Sequence, residues 1–177
     1  MFDVMKDPYQ GILYRTAAAV PMEPWEWPNF TPQELACKGT GYVMIDPDAM
    51  DKLQALRDYL GKPLYINSAF RSQKHNTAVG GAKGSMHRQA RAFDVSMHNH
   101  DPAEFEAAAR AVGFTGFGFY PPKNGGYNFI HVDTGRARFW GERWSSKTDD
   151  TPTSVDDQDT DAPAPKAPGV RYGKRRL

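Results

Sequence analysis

Apolar and polar positions alternate along residues 1 to 144 in a way that predicts helices and strands in turn. Thr31, with Pro32 after it and Glu34 three residues on, forms a capping box and opens a short helix through about Cys37. A longer helix begins after Asp46 as N-cap and Pro47 at the first helical position. Its Leu53, Leu56 and Leu60 share one face, and Gly61 followed by Pro63 ends it. The run LYIN at 64 to 67 is short, apolar and β-branched at its centre, so it reads as a strand. SQKHNTAVGGAKGSMH is polar and glycine-rich and reads as mostly loop with one helical turn, while RAFDVSM at 91 to 97 reads as a second strand. Asp101 and Pro102 open another helix, with Phe105, Ala108, Ala109 and Val112 inward and Gly113 as its stop. GFGFY at 116 to 120 and YNFIHVD at 127 to 133 follow as two strands joined across PPKNGG by a hairpin-like turn. The fold class expected is α+β, built on a mainly antiparallel central sheet flanked by helices.

Length and composition then divide the chain. Its 177 residues suit one domain and an appendage. From residue 145 to 177 the sequence holds six aspartates and four prolines but almost no large apolar side chains, so a disordered polar tail is expected there. Residues 1 to 28 read as an N-terminal arm and 29 to 144 as the folded domain. In the arm, Trp25 and Trp27, with Phe30 just beyond, either pack it onto the domain or form a binding patch.

Charge narrows the partners. The chain carries 22 Lys+Arg and 21 Asp+Glu, and the tail takes six of each, leaving 16 bases and 15 acids before it. No one-sided basic footprint is present, so nucleic acid is not expected as a partner. The terminal RYGKRRL could touch an anionic surface, although short basic ends are usually only solvated. The first residues hold Asp3 and Asp7 and only a short apolar run, which fits neither a signal peptide nor a membrane span. A single cysteine, Cys37, excludes a disulfide framework and a cysteine-based zinc ribbon and reads as a small buried hydrophobe.

Any metal site must therefore use histidine and carboxylate. Among five histidines, His75, His98 and His100 fall in polar loops, whereas His131 sits inside the strand FIHVD and His87 ends the glycine-rich loop. Asp94 stands in the middle of AFDVS, where an unpaired charge would be expensive to bury, so a metal or an arginine is expected beside it. Two imidazoles and one carboxylate would leave a tetrahedral zinc with one open position, although a strand histidine is more often a hydrogen-bonded structural residue. GFGFY lacks the strand, turn and helix context of a nucleotide-binding glycine loop. The adjacent letters of MHNHD do not have the spacing of an HNH nuclease.

SMHRQARAFD at 85 to 94 resembles the SxHxxGxAxD signature of the zinc D-alanyl-D-alanine carboxypeptidase superfamily, peptidoglycan peptidases with a hedgehog-like fold. SAFRS at 68 to 72 is similar to that family's upstream [ST]-x-[YF]-R-S motif, and HNTAVGGAKGSMH to its connecting loop. FTPQELACKGTG resembles the usual opening of the domain, and FIHVDTGRARFW at 129 to 140 the end of the murein endopeptidase branch. The resemblance implies one Zn2+ held by His87, Asp94 and His131, with peptidoglycan stem peptides or cross-links as substrate. It implies that Arg71 contacts the substrate carbonyl or developing oxyanion, for which a rigid guanidinium fork is suited. A structural salt bridge to Asp94 is the alternative. Ser85 matches the signature serine and either contacts substrate or caps backbone.

Two departures stand out. Ala90 replaces the signature glycine, which asks for a backbone with φ below zero there. Asn128 occupies the place where several branches carry an acid as general base. Asp133, on the strand face of His131, is then the candidate base or alternatively the group that orients a zinc histidine. Action on the cell wall or periplasm follows as an expectation, by a monomer delivered through phage lysis or virion machinery. The alternative is a non-catalytic, zinc-stabilised wall-binding or virion-associated module.

Overall fold

Proline-started helices frame one sheet in the computed structural model, which describes residues 9–123 and 128–145. The chain runs β1 (Leu13–Tyr14), α1 (Pro32–Leu35), β2 (Val43–Met44), α2 (Pro47–Leu60), β3 (Ile66–Ser68), α3 (Gln73–Ala78), β4 (Ala92–Ser96), α4 (Pro102–Ala111), β5 (Gly116–Tyr120), β6 (Phe129–Asp133) and β7 (Arg138–Gly141). The caps are those the sequence predicts. Asp46 accepts from the Ala49 amide at 2.9 Å, and Asp101 accepts from Ala103 and Glu104 at 3.0 and 3.1 Å. Gly61 closes α2 at φ 63°, a left-handed position that glycine occupies without a Cβ penalty. Helix α1 ends at Leu35, two residues before the expected limit.

The sheet order is β3-β4-β6-β5-β7. The first three pairs are antiparallel, as expected, but β7 adds in parallel to β5, so the sheet is mixed. A separate antiparallel pair joins β1 and β2. Alternation along β4, β5 and β6 sends Phe93, Val95, Phe117, Phe119, Ile130 and Val132 into one buried cluster with Leu53 and Leu56 of α2 and Phe105 of α4. Each such side chain contributes about 1.5–3 kcal/mol relative to exposure. The opposite face of the same strands is left for polar residues.

Tyr9, Val20, Trp27 and Phe30 join this cluster, so the aromatic residues near the N-terminus pack onto the domain. Trp27 also donates its indole N–H to Asp51 at 2.8 Å. Cys37 is buried with Phe70 and Ala90 in a small satellite cluster. The glycine-rich segment holds more structure than predicted: α3 spans six residues, and a 3-10 turn, Met86–Gln89, precedes β4.

Ala90 corrects an expectation. It closes that 3-10 turn at φ 57°, in the left-handed region rather than below zero, and is the non-glycine residue with positive φ among those described. The turn demanded by the position has overridden the preference of alanine. Residues 1–8, the 124–127 part of the expected hairpin turn and the tail from 146 onward lie outside the described residues. Among those described, no helix is long and apolar enough to cross a membrane.

Candidate metal centre

One cross-strand row carries the centre. The register sets Ser68 opposite Asp94, Asp94 opposite His131, His131 opposite Gly118, and Gly118 opposite Trp140. Directly paired residues project to the same face of a sheet, so this row lies on the face away from the core. The next row sets Ala92, Asp133, Gly116 and Arg138 side by side. The two glycines make room. A Cβ at Gly118 would lie 2.5 Å from Trp140 Cζ2, and one at Gly116 would strike both Asp133 and Arg138.

His87 reaches the row from the 3-10 turn. That turn is fixed to the SAFRS segment by the Arg71 amide, which donates to the His87 carbonyl at 3.0 Å. Nε2 of His87, Nδ1 of His131 and Oδ1 of Asp94 then converge: the two nitrogens are 3.1 Å apart and lie 3.1 and 2.9 Å from the oxygen. These are the three residues among those described whose ligand atoms cluster as a metal site, within 4.8 Å of one another. All three are buried, at 2, 7 and 5% exposure for His87, His131 and Asp94.

The outer ring nitrogens decide the protonation of the inner ones. Nδ1 of His87 faces the Ala69 carbonyl at 2.6 Å, and a carbonyl can only accept, so Nδ1 carries the proton and Nε2 aims a lone pair inward. Nε2 of His131 faces Oδ2 of Asp133 at 2.9 Å and donates likewise, leaving Nδ1 for the centre. Three electron pairs thus point at one spot. They repel unless a proton or a cation sits among them, and a borderline-soft divalent ion with N and O ligands suits the set.

The electrostatics agree. Burial opposes charge on Asp94, but the close approach of the His131 and His87 imidazoles holds its carboxyl well below the usual range. Burial likewise pushes the His87 imidazole below its ordinary value. It also opposes charge on His131, where hydrogen bonds to Asp133 and Asp94 prevail and raise the imidazole above its ordinary value. Asp133, beneath His131, is held far down by His131, Arg138 and the Gly135 amide against the effect of burial.

Arg71 donates from Nη2 to Oδ2 of Asp94 at 2.6 Å and from Nε to Ser68 at 2.9 Å. Arg138 brackets the other end, donating to Asp133 Oδ1 and Oδ2 at 2.9 and 2.6 Å. Arg71 with Asp94, and His131 with Asp133 and Arg138, therefore form two hydrogen-bonded groups that meet where Asp94 Oδ1 lies 2.9 Å from His131 Nδ1, with a guanidinium at each outer end. Above it opens a cleft of about 640 Å³. The glycine-rich segment from Val79 to Met86 forms one part of its lining, and Tyr120, Phe129 and Trp140 another. Ser85 lines the cleft, and its hydroxyl makes no capping bond to the 3-10 turn that follows. Asn128 stands before β6, its carbonyl accepting from Met97, and does not line the cleft.

The remaining histidines stay outside the cluster. His100 lies against the Pro63 carbonyl at 2.8 Å, and His98 packs on Tyr65. Sequence reasoning passed over Arg138, Trp140 and the two glycines of GFGFY. Trp140 lies 5.0 Å from the His131 ring and donates to the Tyr120 hydroxyl at 2.9 Å. The period-two spacing of Gly116 and Gly118 was the available signal, since glycine within a strand often marks close approach by another group.

Comparison with known proteins bears on the same segment. The chain is 35% identical over 103 residues to the peptidoglycan L,D-endopeptidase MepK of Escherichia coli K12, a match covering 54% of each chain. It is 41% identical over 95 residues to the zinc D-Ala-D-Ala carboxypeptidase of Streptomyces albus G, covering 51% of this chain and 36% of that one. A probable peptidoglycan L,D-endopeptidase MepK of Haemophilus influenzae is 29% identical over 104 residues. The chain thus spans about half or less of the length of the curated relatives it matches. Residues 28–133, which contain His87, Asp94 and His131 in their observed order, match the Peptidase M15 family, and the chain belongs to that family.

Proposed function

We propose that the protein is a zinc-dependent peptidase that hydrolyses peptide bonds in the D-amino-acid-containing stem peptides or cross-links of peptidoglycan, on a hedgehog-like fold. The observation that carries this reading is the convergence of two imidazole lone pairs and one carboxylate oxygen at the floor of an open cleft. The names of the relatives supply the substrate class. His87, Asp94 and His131 would hold the ion. When bound, zinc supplies Lewis-acid chemistry, polarising a carbonyl and bringing the pKa of a water toward about 7.

The chain's own groups do the rest. His87 and His131 are kept in the ligating tautomer by Ala69 and Asp133. Arg71 steadies Asp94 through Nη2, and among the described residues its Nη1 has no protein acceptor, which leaves a donor for the substrate carbonyl oxygen as negative charge develops. Asp133 acts as the orienting group rather than the base: it is fully buried, and both oxygens already accept hydrogen bonds. Ser85, with its hydroxyl uncommitted to capping, contacts the substrate backbone. Action at the cell wall follows from the substrate class that the relatives' names supply.

The test is incubation of the zinc-loaded protein with purified murein sacculi, followed by chromatography of released muropeptides. Zinc at one equivalent and soluble fragments are expected, with both lost in His87→Ala and His131→Ala. Digestion by zinc-free protein, or stoichiometric zinc without any release, would overturn the reading.

A further inference from the structure

Three guanidinium groups line the cleft, and they are not alike. Arg71 is bonded to the buried Asp94, and Arg138 to the buried Asp133. Arg136 is exposed and has no carboxylate partner among the described residues. Asp94 is the acidic residue of the cleft lining, and Arg71 already neutralises it. The cleft therefore holds a surplus positive charge before any metal is counted, although the whole chain carries only +1.

The backbone beneath Arg136 is fixed. The Gly135 amide donates to Asp133 Oδ1 at 2.8 Å, and the Gly135 carbonyl accepts from the Thr115 hydroxyl. The Arg136 carbonyl accepts from Arg138 Nη1 at 3.1 Å. A side chain at position 135 would crowd Met86 and Asp133, so the turn sits close against the lining. An unpaired guanidinium on an anchored turn at a cleft is arranged to meet an anion, and its planar fork matches a carboxylate in two parallel hydrogen bonds.

We infer that Arg136 binds a free carboxylate of the substrate and so sets a preference for acidic over amidated stem peptides. The inference rests on the peptidase reading above. Position 136 thereby becomes a specificity residue, distinct from the three metal ligands and from Arg71. The carboxylate belongs either to the peptide C-terminus or to a side chain of the stem.

The test compares a stem tetrapeptide with free carboxylates against the same peptide amidated at the C-terminus only or at its side chains only. Both calorimetric binding and hydrolysis by the zinc-loaded protein are read. Because the guanidinium is exposed and screened, the acid is expected to be preferred over one of the amides by about two- to fivefold. That preference should collapse toward unity in Arg136→Gln and be kept only in part in Arg136→Lys, which retains the charge but not the planar fork. The sensitive amide identifies the carboxylate. Equal loss for acid and amide in Arg136→Gln, or no preference in the unaltered protein, overturns the inference. If the acid is preferred in binding but no peptide is cut, the peptidase reading fails while the carboxylate site stands.

Discussion

Oδ2 of Asp133 lies 2.9 Å from Nε2 of His131, the ring nitrogen turned away from the candidate metal. This pairing fixes which nitrogen can ligate, and Arg138 in turn holds the carboxylate from behind. In Asp133→Asn the amide can accept from only one atom and would present its NH2 or its oxygen to His131 with no charge. Zinc affinity is expected to fall about 10- to 100-fold, as for other lost partners of metal-bound histidines. Chelator competition measures the affinity, and activity should recover at saturating zinc. Activity that stays lost with zinc fully bound would instead identify Asp133 as the base.

Proton release should accompany metal binding. The raised imidazole of His131 means that, without metal, a proton occupies the centre at and somewhat above pH 6.5. The metal must displace it, so affinity should rise with pH across that range, and falling pH should favour the proton. The His87 imidazole, pushed down by burial, is already neutral there and should contribute little. Titration calorimetry in buffers of different ionisation enthalpy reads the proton count. Proton release that grows as the pH is lowered is expected, and a pH-independent affinity would contradict the assignment.

Gly118 supports the row from the side opposite Asp94. Its methyl counterpart would overlap the indole of Trp140, and neither the strand backbone nor the ring's bond to Tyr120 leaves an easy escape. Gly118→Ala is expected to cost about 1–3 kcal/mol by overpacking. It should also change tryptophan fluorescence as the ring moves away from His131. Denaturant unfolding and emission spectra check the two effects, and a variant as stable as the parent would show that the trough tolerates a side chain.

The legible parts were those with local causes. Asp46 with Pro47, and Asp101 with Pro102, announce their helices because caps are made by neighbours in sequence. Asp94 and His131 stand out because a titratable residue inside an apolar strand needs a partner. The parallel joining of β7 to β5 was not legible, since its pairing partner lies 22 residues earlier at Gly116 and the sequence Arg-Phe-Trp-Gly from Arg138 to Gly141 does not alternate polar with apolar residues, although their burial does. For the same reason Trp140 could not be placed beside His131, and the purpose of Gly116 and Gly118 stayed hidden. Whether Asp133 orients a ligand or accepts a proton depends on which atoms it faces, and strand alternation gives only the face.

Ala90 offers a test of how the turn that delivers His87 is held. Its amide donates to the His87 carbonyl at 3.3 Å, and its φ of 57° places Cβ against the following backbone. A left-handed conformation costs an L-residue about 1–2 kcal/mol, which Ala90→Gly would relieve. Two losses oppose that gain: the buried methyl packs with Cys37 and Phe70, and glycine adds about 0.4–1 kcal/mol of chain entropy to the unfolded state. The net change in Ala90→Gly is therefore expected to stay within about 1 kcal/mol of zero. A β-branched residue cannot share the compromise, because its second γ branch crowds the same backbone. Ala90→Val is expected to cost at least about 2 kcal/mol and to weaken zinc binding by displacing His87. Urea unfolding of the metal-free protein and chelator competition of the loaded one separate the two effects. If Ala90→Val proves as stable as the parent, the left-handed turn is not what fixes His87.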